Sequence, residues 1–445
     1  MKNKKHTPTP LKGVKMQISI KLLAVFVLLG ILVFVFSKRW NAWFGNPVEP
    51  PYSANSEFPM RIQLTLGNEG QFSRNISWQC GNKLLPSHLF FTKTTSSDTA
   101  IMIAKWKILE TQGGKTFMYH VKLTHLTEGE YSYCVSTYGK SSPWYRFRVS
   151  ADSAFRFVFI GDIQDSIGGT VKNFFTSIAQ REKDAAFWAL GGDVVERPQD
   201  RYWNEYFTSM DSISQTTPII ACAGNHEYHK GISGKLEERF IYNFSYFLDS
   251  SSDGNAVFET RYGDAAIILL DSDRDTWTLF SQRRWLEQAL QKAANARWKI
   301  VILHHPIYSV RGKLRHFFIR NLFDPLIRKY GVDLVLQGHE HCYARMITRD
   351  KNNIPATPVY VISQASPKDY RIQLDKKYDR FGNEMRFYQA IAVSADTLSL
   401  KTYTESGDLY DDVCIVKTGG KLQVQDLANG IIPEHFNPAS FRLQK

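Results

Sequence analysis

Residues 332–345, VDLVLQGHEHCYAR, decide how this chain is read. An apolar, strand-like run stops at Gly338, and His339 and His341 follow on either side of Glu340. In extended backbone, residues i and i+2 point to the same side. Two protonated imidazoles held side by side would repel each other. As neutral rings they present two nitrogens to one space, and a metal ion is the usual occupant of such a pair. The pair alone is equally compatible with capping or surface histidines, so the rest of the chain has to decide.

The same grammar recurs upstream. FRFVFIGD ends at Asp162, AAFWALGGD at Asp193, PIIACAGN at Asn225 and KIVILHH opens its histidine pair at His304. Glycine stands directly before Asp162, Asp193, Asn225 and His339, and is absent before His304. It lets the backbone turn sharply while the next side chain points into a crevice. In open α/β sheets strand ends converge on one edge, where sites form. Singly, each residue has a plainer reading: Asp162 or Asp193 caps a helix, Asn225 makes a turn, His304 sits satisfied in a core. Recurrence at six positions argues for a common site. Two carboxylates, an amide oxygen and three imidazoles, with no thiolate, suit zinc, manganese or iron, and two ions better than one. Asp193 is the carboxylate expected to bridge them. Two metals about 3.5–4 Å apart clamp a phosphoryl group and acidify the water between them. The chemistry expected is hydrolysis of a phosphate ester by a metal-bound hydroxide.

Around these strand ends the pattern is α/β. Apolar runs alternate with helical periods in WTLFSQRRWLEQALQKAANA and HFFIRNLFDPLIRKYG, and strands return over 357–416. With 43% hydrophobic and 13% aromatic residues, a chain of 445 can bury a sizeable core. The expected fold is an N-terminal transmembrane helix, an all-β sandwich, and then a two-sheet α/β domain. The divisions are 1–17 cytoplasmic and basic, 18–37 the anchor, 38–59 a linker, 60–150 the sandwich, 154–416 the catalytic domain and 417–445 a tail. The sandwich rests on about seven short alternating strands separated by turn signals such as GNEG and TQGGK.

The net charge of +12 is concentrated at the start. Lys2, Lys4, Lys5, Lys12, Lys15, Lys21, Lys38 and Arg39 contribute +8 with no acid before residue 40, which leaves +4 for the body. No basic stripe with interleaved aromatics stands out there, so no nucleic-acid partner is expected. Between those lysines lies LLAVFVLLGILVFVFS, residues 22–37, without a charge. With the preceding ISI and a snorkelling Lys21 it approaches the length of a bilayer span, and an uncleaved anchor is favoured over a cleaved signal peptide because no small-x-small site precedes SKRW. Lysines before it place the N-terminus in the cytoplasm and the body outside, periplasmic or extracellular. Five cysteines, an odd number without CxxC spacing, exclude a zinc ribbon, and a Cys80–Cys134 disulfide is not favoured.

The run GD…GGD…GNHE…HHPIY…GHEHCYAR resembles the calcineurin-like metallophosphoesterase signature, and the preceding sandwich with the GHEHCYAR form resembles the purple acid phosphatase branch with its fibronectin-type N-terminal domain. The resemblance implies a first metal held by Asp162, Asp193 and His341, and a second held by Asp193, Asn225, His304 and His339. His304 is the ligand of its pair because Pro306 completes the family's HxP spacing, which leaves His305 a packing role. His226 resembles the family's substrate-contacting histidine, placed to stabilise phosphoryl oxygens or protonate the leaving group. A second such histidine has no well-spaced counterpart; only His316 lies near. The branch's tyrosine after the bridging aspartate is Glu196 here, and the DxH histidine of other members is Gln164. Gln164 through its amide oxygen, Glu196 through its carboxylate, or a water would fill the vacant position, and Gln164 is preferred. Without a phenolate no purple chromophore is expected, and the ions should be divalent. Arg311, Lys313 and Arg315 form a basic loop read equally well as phosphate-contacting or solvated. Asp271 and Asp273 read as turn or supporting residues. The implied function is phosphomonoester hydrolysis on a phosphorylated small molecule or ester, with a phosphodiesterase, a nucleotide pyrophosphatase or a non-catalytic surface binding protein as alternatives.

Overall fold

The computed structural model describes residues 48–50, 57–111, 113–164, 169, 171–231, 234–249, 256–375, 377–436 and 441–443, with parts of 23–46. The described residues fall into two compact units, and everything below except the N-terminal helix concerns the larger, Val48–His229 with Leu236–Lys445.

The N-terminal expectation needs correcting. Of residues 18–37, positions 18–22, 24, 32 and 36 lie outside the described residues, while 23, 25–31, 33–35 and 37 are helical. Among the described residues no helix is long and apolar enough to cross a membrane. The uncharged run reached the roughly 20 residues a span requires only by counting Lys21 and its neighbours. The single-pass anchor, the membrane as partner and the extracytoplasmic placement that rested on it are therefore not supported.

Residues 60–149 form two antiparallel sheets. One runs Met60–Gly67, Gly70–Cys80, Gly114–Leu123, Lys105–Thr111; the other runs Ala100–Ile103, Ser87–Lys93, Gly129–Thr137, with Lys140–Ser141 and Tyr145–Val149 both paired to the last of these. Alternate residues turn inward, as the period-2 pattern requires. Trp78 stacks on Tyr119 at 5.8 Å and Tyr131 on Phe147 at 5.4 Å. Cys80 and Cys134 are both buried thiols. The sandwich is fixed to the next layer by polar bonds: Arg61 to Asp200 at 2.6 Å, Ser77 Oγ to the Asn243 carbonyl at 2.9 Å, and Tyr133 OH to the Gln215 carbonyl at 2.7 Å.

The α/β region is built on two seven-stranded mixed sheets. The first uses β1 (Phe155–Ile160), β2 (Phe187–Leu190), β3 (Ile219–Ala221), and the later β11 (Phe387–Val393), β12 (Thr397–Thr404), β13 (Leu409–Thr418) and β14 (Lys421–Asp426), in the order β3-β2-β1-β11-β12-β13-β14. The second uses β4 (Phe258–Tyr262), β5 (Ala265–Leu270), β6 (Trp298–Leu303), β7 (Leu334–Gln337), β8 (Tyr343–Arg349), β9 (Pro355–Ile362) and β10 (Arg380–Gly382), in the order β4-β5-β6-β7-β9-β8-β10. Residues 421–426, inside the stretch expected as a tail, close the first sheet as β14.

Both faces of the central strands are covered, which is why they read as near-continuous apolar runs. In β5, Ile267 and Leu269 join the core that holds Phe157, Phe159, Ile302 and Leu336, while Ile268 and Leu270 join an outer core. That outer core is roofed by α3 (Thr276–Lys292) and α4 (Phe317–Lys329) through Leu286, Leu290, Phe323 and Ile327. The Asp275 side chain caps α3 by accepting from the Trp277 and Thr278 amides at 3.1 Å. Helices α1 (Lys172–Arg181) and α2 (Asp200–Met210) pack on the first sheet through Phe175, Ile178 and Trp203. The tyrosine and arginine of GHEHCYAR join the sheets: Tyr343 OH and Arg345 Nε both reach Asp411 Oδ2 of β13 at 2.6 Å. β1, β2 and β3 run parallel, as do β6 and β7. The carboxyl ends of those strands lead into Asp162, Asp193, Asn225, His304 and His339.

Candidate metal centre

The backbone at these strand ends is unusual. Asp162, Asp193, His339 and His341 all have positive φ, at 45°, 51°, 74° and 48°. Left-handed backbone at a non-glycine residue costs roughly 1–3 kcal/mol and persists where surrounding structure enforces it. Glycine makes the approach of these loops possible. A Cβ on Gly224 would lie 2.3 Å from Asp193 Oδ1, and one on Gly338 would lie 2.7 Å from Asp162 Oδ2. Glu227 holds the loops in place. Its buried carboxylate accepts the amides of Asp193 (2.9 Å) and Gly224 (2.7 Å) on one oxygen, and of Val194 (2.8 Å) and Val195 (3.1 Å) on the other.

The candidate side chains gather around Asp193, and the donor atoms of Asp162, Asp193 and His304 all lie within 4.8 Å of one another. His304 Nε2 lies 3.3 Å from Asp193 Oδ2 and 3.2 Å from Asn225 Oδ1, and His339 Nδ1 lies 2.9 Å from Asn225 Oδ1 and 3.2 Å from His304 Nε2. His304 Nδ1 is 2.9 Å from the Gly191 carbonyl, to which it donates, so Nε2 faces Asp193 and Asn225. His341 Nε2 lies 3.8 Å from Asp162 Oδ1 and 3.4 Å from Gln164 Nε2, which is 3.5 Å from Asp193 Oδ2. The Gln164 amide thus presents its nitrogen to the centre, and ligation through oxygen needs the amide rotated by half a turn. Asp162 Oδ2 accepts the His339 amide at 2.6 Å.

Burial and neighbouring charge set the protonation of these groups. Burial pushes the Asp162 carboxyl up to about 8, with His304 opposing and Asp193 adding to the rise. Asp193 is as deeply buried, but His304 and His226 outweigh burial and hold its carboxyl below the ordinary range. Burial alone would lower His304; the adjoining Asp193 carboxylate overrides it and takes the imidazole to about 10. For His341 and His339 burial dominates, lowering His341 to about 3 and His339 well below its ordinary value. Those two rings are therefore neutral, with lone pairs to give. Asp162 Oδ1, Gln164 Oε1 and His341 Nδ1 are buried with no hydrogen-bond partner. Buried acceptors of that kind, among oxygen and nitrogen donors without thiolate, fit a divalent metal ion.

Comparison with known proteins agrees with this chemistry. Residues 155–343 match the family described as calcineurin-like phosphoesterase, and residues 59–149 match the purple acid phosphatase N-terminal domain. The chain carries a calcineurin-like phosphoesterase domain. Acid phosphatase type 7 of Homo sapiens is 24% identical over 350 residues, covering 68% of this chain and 78% of that protein. Purple acid phosphatase 18 of Arabidopsis thaliana is 23% identical over 321 residues, with 69% and 71% covered. Against purple acid phosphatase 23 of the same plant, identity is 27% over 168 residues, and the chain covers only 36% of that protein's length. The solved structure of PhoD superposes with a TM-score of 0.62 at 13% identity, covering 86% of this chain and 95% of that one, a likeness of fold. The chain is thus similar to calcineurin-like phosphoesterases and to proteins named acid phosphatases, and it spans about a third of the length of the first plant relatives it matches. The sandwich matches the purple acid phosphatase N-terminal domain, and the fibronectin type III label expected for it has no support of its own.

Several residues of the phosphoesterase domain had no reading, or another one, in the sequence. The Glu196 carboxylate is taken by Lys368 Nζ at 2.5 Å, while its carbonyl receives His226 Nδ1 at 2.5 Å. That bond aims His226 Nε2 inward, 3.8 Å from Asp193 Oδ2. His305 packs its ring 4.2 Å from His339 and bonds Ser272 Oγ at 3.1 Å. His316, whose sequence spacing was unpersuasive, sits 5.0 Å from the His339 ring with Nε2 at 3.4 Å from Glu340. Asp271 accepts the Tyr228 hydroxyl, and Asp273 lies 3.8 Å from His305 Nε2. Burial takes these two carboxyls up to about 6 and about 7. Glu227 had a signal, since it ends the GNHE motif, but only the fold shows its four amide partners.

Proposed function

We propose that this chain is a phosphomonoesterase that works with two divalent ions, zinc, manganese or iron, on a phosphorylated small molecule or ester. The observation that supports it is the gathering of carboxylate, amide and imidazole donors around Asp193. Asp162, Asp193, His341 and Gln164 would hold one ion; Asp193, Asn225, His304 and His339 would hold the other. Bound there, the metals supply Lewis acidity toward the phosphoryl oxygens and the attacking water. The chain's own residues do the rest. Gly191 fixes the His304 tautomer through its carbonyl, and Glu227 fixes the loop that carries Asp193. His226, held at Nδ1 by the Glu196 carbonyl and about a quarter exposed, keeps Nε2 available to carry a proton to the departing alkoxide or to bind a phosphoryl oxygen.

Phosphate release from an aryl monoester and from the matching diester, with manganese or zinc added, tests the reading. The wild type should favour the monoester, and Asp193→Asn should lose at least about a hundredfold in kcat/KM. Equal turnover by Asp193→Asn, or no release with any divalent ion, would reject it.

A further inference from the structure

Of the three cations in the loop after the HHP motif, the fold separates one from the others. Lys313 and Arg315 are exposed, whereas Arg311 is half-buried with its guanidinium carbon 4.2 Å from the centroid of the Tyr370 ring. Tyr370 in turn lies 4.4 Å from the ring of His341, at an interplanar angle of 60°. One aromatic ring thus touches both a guanidinium and a candidate metal ligand. Lys368, two residues before Tyr370 on the loop that follows β9, is already neutralised by Glu196. Among the described residues the Arg311 guanidinium has no carboxylate partner; its only bond is at the backbone, where its amide donates to Ser309 Oγ at 3.0 Å. A guanidinium stacked on an aromatic face keeps its N–H edge open for a bidentate anion.

We propose that Arg311, on its Tyr370 platform, is a specificity residue that binds a second anionic group of the substrate, beyond the phosphate held at the metal centre. The inference rests on the phosphomonoesterase reading and narrows it to phosphate esters with a further anionic group, for which a second phosphate is the probe. The Tyr370 ring also touches His341, so the Arg311 guanidinium stands at the margin of the candidate metal centre, within reach of a group attached to the ester held there. Two arms from different loops frame the subsite: residues 309–311 bring the cation, and residues 368–370 bring the platform. Neither loop contributes a candidate ligand.

The test compares glucose 1,6-bisphosphate with glucose 6-phosphate on the full chain loaded with manganese, reading affinity as the initial-rate KM or, where no phosphate is released, by calorimetry. Wild type should bind the bisphosphate about tenfold more tightly, the worth of a charge-assisted contact. Arg311→Gln should bring the two affinities together, Arg311→Lys should keep part of the difference, and Tyr370→Leu should reduce it. No preference in the wild type, or a preference that survives Arg311→Gln, overturns the proposal. A preference that holds without phosphate release supports the subsite and rejects the phosphatase reading alone.

Discussion

Glu227→Gln is the substitution with the most to say about how the centre is built. The carboxylate accepts four backbone amides, two per oxygen, at 2.7–3.1 Å. Burial first, and the Asp193 carboxylate second, push this carboxyl well above its ordinary range. The geometry argues for the ionised form, because every lone-pair direction faces an N–H and neither oxygen has room for a proton. Glutamine keeps one oxygen. Whichever it keeps, two amides lose their acceptor and meet an NH2 group instead. Hydrogen bonds to a charged acceptor contribute about 1.5–3 kcal/mol each, so two are worth about 3–6 kcal/mol before relaxation. Against a stability of order 5–15 kcal/mol, that is a large fraction. Thermal and urea unfolding of the metal-free proteins should show the loss, and the substituted chain should hold less metal because the Asp193 loop is no longer fixed. Unfolding within about 0.5 kcal/mol of wild type, with metal binding intact, would refute the reasoning and mean that Glu227 is protonated.

Three further outcomes are expected. Gly224→Ala places a methyl 2.3 Å from Asp193 Oδ1 and should abolish metal binding while far-ultraviolet circular dichroism is retained; normal metal content would contradict it. Metal uptake at pH 7 should release at least one proton, because His304 is raised to about 10 and Asp162 to about 8 in the metal-free site. The calorimetric enthalpy should therefore vary with the ionisation enthalpy of the buffer, and an invariant enthalpy would refute it. Asp271 has its folded carboxyl raised by burial from 3.8 to about 6, so in that window the folded state holds the proton more tightly than the unfolded. Stability should fall as pH rises between those values, and Asp271→Asn should flatten that slope in metal-free unfolding curves.

The α/β layer was legible because its strands are buried on both faces and each stops at a polar residue. Ile267 through Leu270 alternate between two cores, and such a run reads as a strand with no amphipathic pattern required. Residues at those ends could be named, because a strand end fixes where a side chain starts. What lies across the centre could not. The Glu196–Lys368 pair spans 172 residues of chain and the Tyr343–Asp411 bond spans 68, so neither leaves a local trace. His316 stood in a loop whose length hid its approach to His339, and its ring distance of 5.0 Å comes from tertiary packing alone. The anchor failed for a different reason. Hydropathy over sixteen residues is a compositional signal, and its extension to a span leaned on a charged lysine.

The central claim is a pair of metal ions sharing Asp193, and metal content per chain tests it most directly. Full-length protein purified without chelator, then dialysed against manganese or zinc, should hold two equivalents, falling to one or fewer in Asp193→Asn. One equivalent in the wild type, or none, would contradict the account.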